Sequence, residues 1–166
     1  HREYADYKAQ RDATPEGILW AFPQVKRLLE ALRIPAIEVP DYEADDVVGT
    51  LSQRAEKEGF EVYMVTADKD YGQLVTEHSL MYRPETKGAE VWGEAEVCEK
   101  FGLVHCSQMV DYLALVGDTS DNIPGCKGIG PKKASELLTQ FGSIDAIYEH
   151  LDELSPSLKK NLEEGR

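Results

Sequence analysis

The segment Ile123-Pro124-Gly125-Cys126-Lys127-Gly128-Ile129-Gly130-Pro131-Lys132-Lys133-Ala134 constrains this chain more than any other. Glycines at 125, 128 and 130 permit a tight turn and close approach to another molecule. Apolar patterns at Met109–Val116 before it and Pro131–Phe141 after it make it a turn between two helices. Gly128, Gly130 and the start of the second helix offer backbone N–H groups, the donors that a phosphate needs. Lys127, Lys132 and Lys133 place positive charge beside them. Such contacts hold a duplex without reading its sequence.

The rest of the chain supplies a body for that turn. Thr14-Pro15-Glu16 reads as a helix start: a cap, proline at the first helical position, then an acid. Ile18, Leu19, Phe22, Val25, Leu28, Leu29 and Leu32 then recur at helical spacing. Ile34–Val39 is expected to be a short strand. Tyr42–Lys57 is expected to be a helix that buries Val47, Val48, Leu51 and Ala55, and Gly59 stops it. Val62–Val65 reads as a buried strand, and Asp68–Leu74 as a short helix. Leu80–Arg83 and Glu90–Trp92 flank a hairpin turn at Pro84–Gly88. Val97–Phe101 and Ile144–Leu151 add helices, the second capped by Gly142-Ser143. Helices alternating with buried strands imply an α/β layer, and the last third reads as all-helical. The expected divisions are residues 1–17, 18–92 and 93–166.

Three acidic clusters fall at element ends. Glu43-Ala44-Asp45-Asp46 opens a helix, where the dipole favours negative charge. Asp68-Lys69-Asp70 follows a buried strand, the position where open α/β sheets bind ligands. Gly117-Asp118-Thr119-Ser120-Asp121-Asn122 carries two acids three residues apart. If Glu43, Asp45, Asp46, Asp68, Asp70, Asp118 and Asp121 converge, their repulsion needs a counter-charge. Oxygen ligands of this kind suit Mg²⁺ or Mn²⁺ rather than zinc. Two such ions match a phosphodiester hydrolase in which one activates water and both stabilise the phosphate. His1, His78, His105 and His150 show no ligand spacing, and no G-x-S-x-G, Walker or Rossmann fingerprint occurs.

Composition sets a counter-argument. The 166 residues carry 31 acids against 18 lysines and arginines, a formal charge of −13. That excess speaks against a broadly basic nucleic-acid surface and predicts local binding. Cys98, Cys106 and Cys126 are an odd number without C-x-x-C spacing, so a reducing cytosol fits better than a disulfide framework. No apolar run is long enough for a membrane span.

The glycine turn is the helix–hairpin–helix pattern. Together with Tyr42-Glu-Ala-Asp-Asp46, Thr66-Ala-Asp-Lys-Asp70 and Gly117-Asp-Thr-Ser-Asp-Asn122, it makes the whole chain resemble the 5′-nuclease (5′-3′ exonuclease) domain of bacterial DNA polymerases I, within the flap endonuclease superfamily. The resemblance implies a PIN-like α/β core (18–92) and a helix–hairpin–helix subdomain (93–166). Residues 1–17 would be part of a helical arch that passes single-stranded 5′ ends. It implies a metal-dependent nuclease that cuts 5′ flaps and nicks and removes RNA primers. Glu43 and Asp45 would serve a first metal site, and Asp118 and Asp121 mainly a second, with Asp46, Asp68 and Asp70 completing the set. Lys8 and Arg11 would contact the scissile phosphate, and Tyr7 would stack on a base. Gly125, Lys127, Gly128, Ile129, Gly130, Lys132 and Lys133 would hold duplex DNA, with a K⁺ ion at the hairpin. A monomer in the bacterial cytoplasm, followed by a polymerase region, is expected.

The chain departs from the family at its start. The family opens with two strands, each carrying a metal-binding Asp, whereas this chain begins at His1 within the arch. The expectation is a piece of a longer polypeptide with an incomplete ligand set, and a DNA-binding module without cleavage is one alternative. A haloacid-type phosphatase would need Thr where Gly72 stands. A PIN-type ribonuclease would lack the Lys132-Lys133 hairpin.

Overall fold

The computed structural model describes residues 4–165. His1, Arg2 and Glu3, which open the polar segment, and Arg166 lie outside them. Helix α1 spans Glu16–Ala31 and α2 spans Ala44–Lys57. Strand β1 (Val62–Val65) leads into a 3₁₀ turn at Lys69–Leu74, then β2 (Ser79–Glu85) and β3 (Gly88–Trp92). Helices α3 (Glu94–Phe101) and α4 (Met109–Val116) follow, with a 3₁₀ turn at Cys106–Gln108 between them. Two-residue strands β4 (Gly117–Asp118) and β5 (Ile123–Pro124) pair before α5 (Pro131–Phe141), α6 (Ile144–Glu149) and α7 (Pro156–Glu164).

The sheet has the order β1-β2-β3. β1 runs parallel to β2, with Met64 opposite Met81, and β2 pairs antiparallel with β3, with Met81 opposite Trp92. Parallel neighbours need a crossover, and the 3₁₀ turn at Lys69–Leu74 supplies it. Met64, Met81 and Trp92 carry the sheet into a continuous core with Val97, Met109, Tyr112, Leu115, Leu137, Leu138, Ile147 and Leu162. Phe101 meets Tyr112 edge-on at 5.4 Å between ring centroids. One buried core thus joins the sheet to the helical third.

Several boundaries match the sequence reading and several do not. α5 runs from Pro131 to Phe141 as the proline and Gly142 dictate, and Ser143 caps α6 through Ala146 N–H. α1 begins one residue later than expected, with Pro15 as its cap residue. Ile34–Val39 is not a strand. A strand needs a paired backbone, and Pro35 and Pro40 remove donors from this stretch. The helical third also contains the short β4–β5 ladder.

The buried faces differ as well. In α2 the buried residues are Gly49 and Ser52, and Leu51 is 40% exposed. Gly49 lies against Leu74, so the helix approaches the 3₁₀ turn through its smallest residue. α1 has the expected periodicity but buries none of its residues in this chain; Trp20 is 70% exposed.

A candidate metal centre framed by three acidic turns

Each acidic cluster sits where a local element fixes it. Glu43 is the cap residue of α2, and its backbone N–H donates to Asp46 Oδ2 at 3.0 Å. Asp68 follows β1 and caps the 3₁₀ turn by accepting Asp70 N–H at 3.1 Å. Asp118 ends the β4 bridge, and its Oδ1 accepts Ser120 N–H at 2.7 Å and Asp121 N–H at 3.2 Å. These are the hydrogen bonds that short acidic side chains make at turns. They hold the carboxylates in fixed directions.

The three turns frame one hollow of about 650 Å³, lined by Glu43, Asp45, Asp68, Asp70, Asp118 and Asp121. Asp46 does not line it, because the capping bond to Glu43 turns its carboxylate aside. Of the seven acids that the sequence groups together, Asp46 therefore stands outside the hollow.

Cations from the amino-terminal segment and from the Asp68–Asp70 turn itself enter the hollow. Lys8 Nζ lies 2.6 Å from Glu43 Oε2 and 3.8 Å from Asp121 Oδ2. Lys69 Nζ bridges Asp70, at 3.2 Å, and Asp118. Arg11 pairs with Asp121, and its Nε donates to the Ser120 carbonyl at 3.3 Å. The Tyr7 hydroxyl stands 3.1 Å from Glu43 Oε2 and 3.2 Å from Asp121 Oδ2, so its single proton serves one of them at a time. The Lys8 backbone N–H donates to the Asp121 carbonyl at 2.9 Å, and Asn122 Nδ2 donates to the Asp6 carbonyl at 2.7 Å. The amino-terminal segment is therefore laid along the Thr119–Asn122 turn. Sequence reasoning gave Lys69 no role; its place between two acids in Asp68-Lys69-Asp70 was the available signal.

Titration reflects this pairing. Burial alone would push Asp118 up, but hydrogen bonds from Lys69 and Ser120 outweigh it and hold Asp118 at about 2. Burial dominates at Asp70, which is raised despite Lys69. The Lys8 hydrogen bond lowers Glu43. Burial would lower Lys8, but its partners raise it.

The donor set fits hard divalent cations. All six lining acids offer oxygen, and Lys8, Arg11 and Lys69 balance only half of their charge. Each ammonium already bridges two carboxylates from different turns, as a bound cation would. Among the described residues, no three His, Cys, Asp or Glu side chains stand together closely enough to hold one ion. Lys8 and Lys69 stand between acids of different turns.

The hairpin after β5 divides its glycines by job. A Cβ on Gly125 would run into the Val116 carbonyl, so the close approach there is to the chain's own α4. Gly128 has φ +75°, the left-handed region that favours glycine. Gly130 has open space where a Cβ would be, and it caps α5. Ile129 is 4% exposed and anchors the turn in the core, which leaves only its backbone for a ligand. Lys127, Lys132 and Lys133 are exposed around it.

Comparison with known proteins identifies the family of the chain. Residues 1–102 match the 5′-3′ exonuclease N-terminal resolvase-like domain, and residues 104–166 match the 5′-3′ exonuclease C-terminal SAM fold. Thermostable DNA polymerase I of Thermus thermophilus is 46% identical over 99% of this chain and 19% of its own length. DNA polymerase I of Bacillus subtilis is 41% identical over 99% of the chain and 19% of its length. The chain thus spans about a fifth of the curated relatives it matches. The T5 D15 protein co-crystallised with metal ions shares the fold at a TM-score of 0.81 and 22% identity, over 97% of this chain and 63% of its own. The catalytic core of Rad2 in complex with DNA substrate shares it at 0.60 and 21%, over 93% and 50%. No helix among the described residues is long and apolar enough to cross a membrane. By its sequence matches over residues 1–102 and 104–166, this chain belongs to the 5′-3′ exonuclease family.

Proposed function

We propose that this chain is a divalent-metal-dependent 5′-3′ exonuclease and flap endonuclease module that hydrolyses DNA phosphodiester bonds. The observation that carries the reading is the convergence of six carboxylates from three turns on one hollow, with only three cations among them. Glu43 and Asp45 would hold one ion, and Asp118 and Asp121 a second, with Asp68 and Asp70 between them. Mg²⁺ or Mn²⁺ would supply an activated water and charge on the phosphate. Lys8 and Arg11 reach the same hollow and would grip the scissile phosphate once released from Glu43 and Asp121. Tyr7 would leave the same acids to stack on a base.

The hairpin would hold the duplex arm. Lys132 and Lys133 lie in the first turn of α5, where backbone N–H groups lack helical partners. With Lys127 and the backbone of Gly128 and Gly130, they suit phosphates, and a K⁺ ion would sit on the hairpin carbonyls. The substrates would be 5′-flapped or nicked DNA and RNA primer junctions, and the setting a bacterial cytoplasm as a monomer linked to a polymerase region.

A second reading, a DNA-binding module without cleavage, draws on the lysines already paired with the acids. Cleavage of a 5′-flap duplex separates the two. The expected result is release of the 5′ fragment with Mg²⁺ or Mn²⁺, loss on chelation, and a fall of at least about tenfold in Asp118→Asn. Flap binding without cleavage under any divalent cation would select the second reading. Cleavage of RNA alone would overturn both.

A further inference from the structure

Outside the acidic hollow, two thiols face each other. Cys98 lies in the last turns of α3, and Cys106 opens the 3₁₀ turn that leads into α4. They are eight residues apart in sequence, yet their sulfurs stand 3.8 Å apart. Both are free; Cys98 is part-exposed and Cys106 is 6% exposed. The two sulfurs border a hollow of about 430 Å³ with Glu94 and His105 on its wall. Cys106 Sγ also lies 3.4 Å from the Glu94 carbonyl, which holds it toward the hollow.

We propose that Cys98 and Cys106 form a reversible oxidation site, at which hydrogen peroxide converts the two thiols into an intramolecular disulfide linking α3 to the turn before α4. A disulfide needs its sulfurs about 2.05 Å apart. The gap must close by about 1.8 Å, within the sweep of one side-chain rotation. Burial, then the neighbouring Cys98, pushes the Cys106 thiol up to about 12, so it stays protonated at neutral pH. The part-exposed Cys98 is therefore the sulfur that meets the oxidant. Its thiolate takes one peroxide oxygen and becomes a sulfenic acid as the O–O bond breaks, and the other oxygen leaves as hydroxide, which takes up the proton the Cys98 thiol released and becomes water. The Cys106 sulfur then attacks the Cys98 sulfur. The S–O bond breaks, the S–S bond forms, and the departing hydroxide takes the Cys106 proton as a second water. Two thiols lose two protons and two electrons, and the peroxide is reduced to two waters. The Gly102 turn between the cysteines, at φ +64°, allows the chain to accommodate the link.

Cys126 serves as an internal control, because its sulfur is held at 3.3 Å from the Asn161 carbonyl on a different element. The experiment treats the folded protein with hydrogen peroxide, blocks free thiols with a maleimide, and maps tryptic peptides by mass. Trypsin cuts after Lys100, between the two cysteines, so the link joins two peptides. In Cys126→Ser that joined pair can only be Cys98–Cys106. The expected result is a joined pair lighter by two hydrogens than its separate peptides, recovered as free thiols with dithiothreitol. The link should persist in Cys126→Ser and be lost in Cys98→Ser. Cys106→Ala gives the same loss independently, should Cys98→Ser disturb folding. Full alkylation of both cysteines after peroxide, links only between molecules, or oxidation ending at a Cys98 sulfinic acid would each overturn the proposal.

Discussion

Lys69 is the side chain whose position organises the most charge around it. Its ammonium bridges Asp70 and Asp118, two acids on separate turns. Asp118 responds by falling from its ordinary value of 3.8 to about 2. A carboxylate with a depressed folded pKa stabilises the fold above its unfolded pKa and loses that contribution as pH falls through the folded one. The metal-free protein should therefore lose stability between about pH 4 and pH 2. Lys69 is 45% exposed and screened, so the contribution is about 1–2 kcal/mol rather than the full shift. Thermal unfolding across that window, with and without Lys69→Met, reads it. An identical acid dependence in the variant would mean that Lys69 does not set the Asp118 titration. The string Asp68-Lys69-Asp70 shows a lysine between two acids, but not its bridge to Asp118, which comes from a separate turn. Asp46 shows a different ambiguity: its spacing from Glu43 suits a shared face, and the same spacing suits a capping box. Sequence spacing alone does not choose between those two uses of one carboxylate.

The connection before α4 shows what element-level patterning can and cannot reveal. Gln108 is 6% exposed and uses both ends of its amide. Its Nε2 donates to the Leu138 and Gly142 carbonyls, each at 2.9 Å, and so closes the end of α5. Its Oε1 accepts the Val104 and His105 N–H groups at 2.9 and 3.2 Å. Replacing it with leucine keeps the bulk and strands four backbone groups. Gln108→Leu should destabilise the fold by about 2–4 kcal/mol, given the cost of buried groups left unpaired. Calorimetric unfolding checks this, and a change below about 0.5 kcal/mol would mean that water replaces the amide. Hydrophobic periodicity locates α4 and α5 because their apolar residues repeat, and proline and glycine bracket α5. It does not register a single polar residue that joins two helices. It also cannot choose an edge for Ile34–Val39, because a strand is defined by its partner and not by its own residues.

Across the whole molecule, the −13 charge opposes any polyanion that approaches from a distance. The structure distributes that charge unevenly. Six acids line one hollow, and the exposed cations Lys127, Lys132 and Lys133 gather at the hairpin and the start of α5. Duplex binding should therefore be local, with a shallow salt dependence set by a few phosphate contacts rather than by net charge. Lys133 already shares its charge with Glu136 at 3.0 Å, which makes Lys132 the better single test. Lys132→Ala should weaken duplex binding about equally for all sequences and lower the slope of log affinity against log salt by about 1. Fluorescence anisotropy of a labelled duplex across salt concentrations, with divalent cation held constant, measures both effects. An unchanged slope would remove Lys132 from the phosphate contacts. A slope lowered equally by a remote lysine such as Lys26 would mean that overall charge governs binding, because Lys26 pairs with Glu38 beside α1, away from the hairpin in sequence.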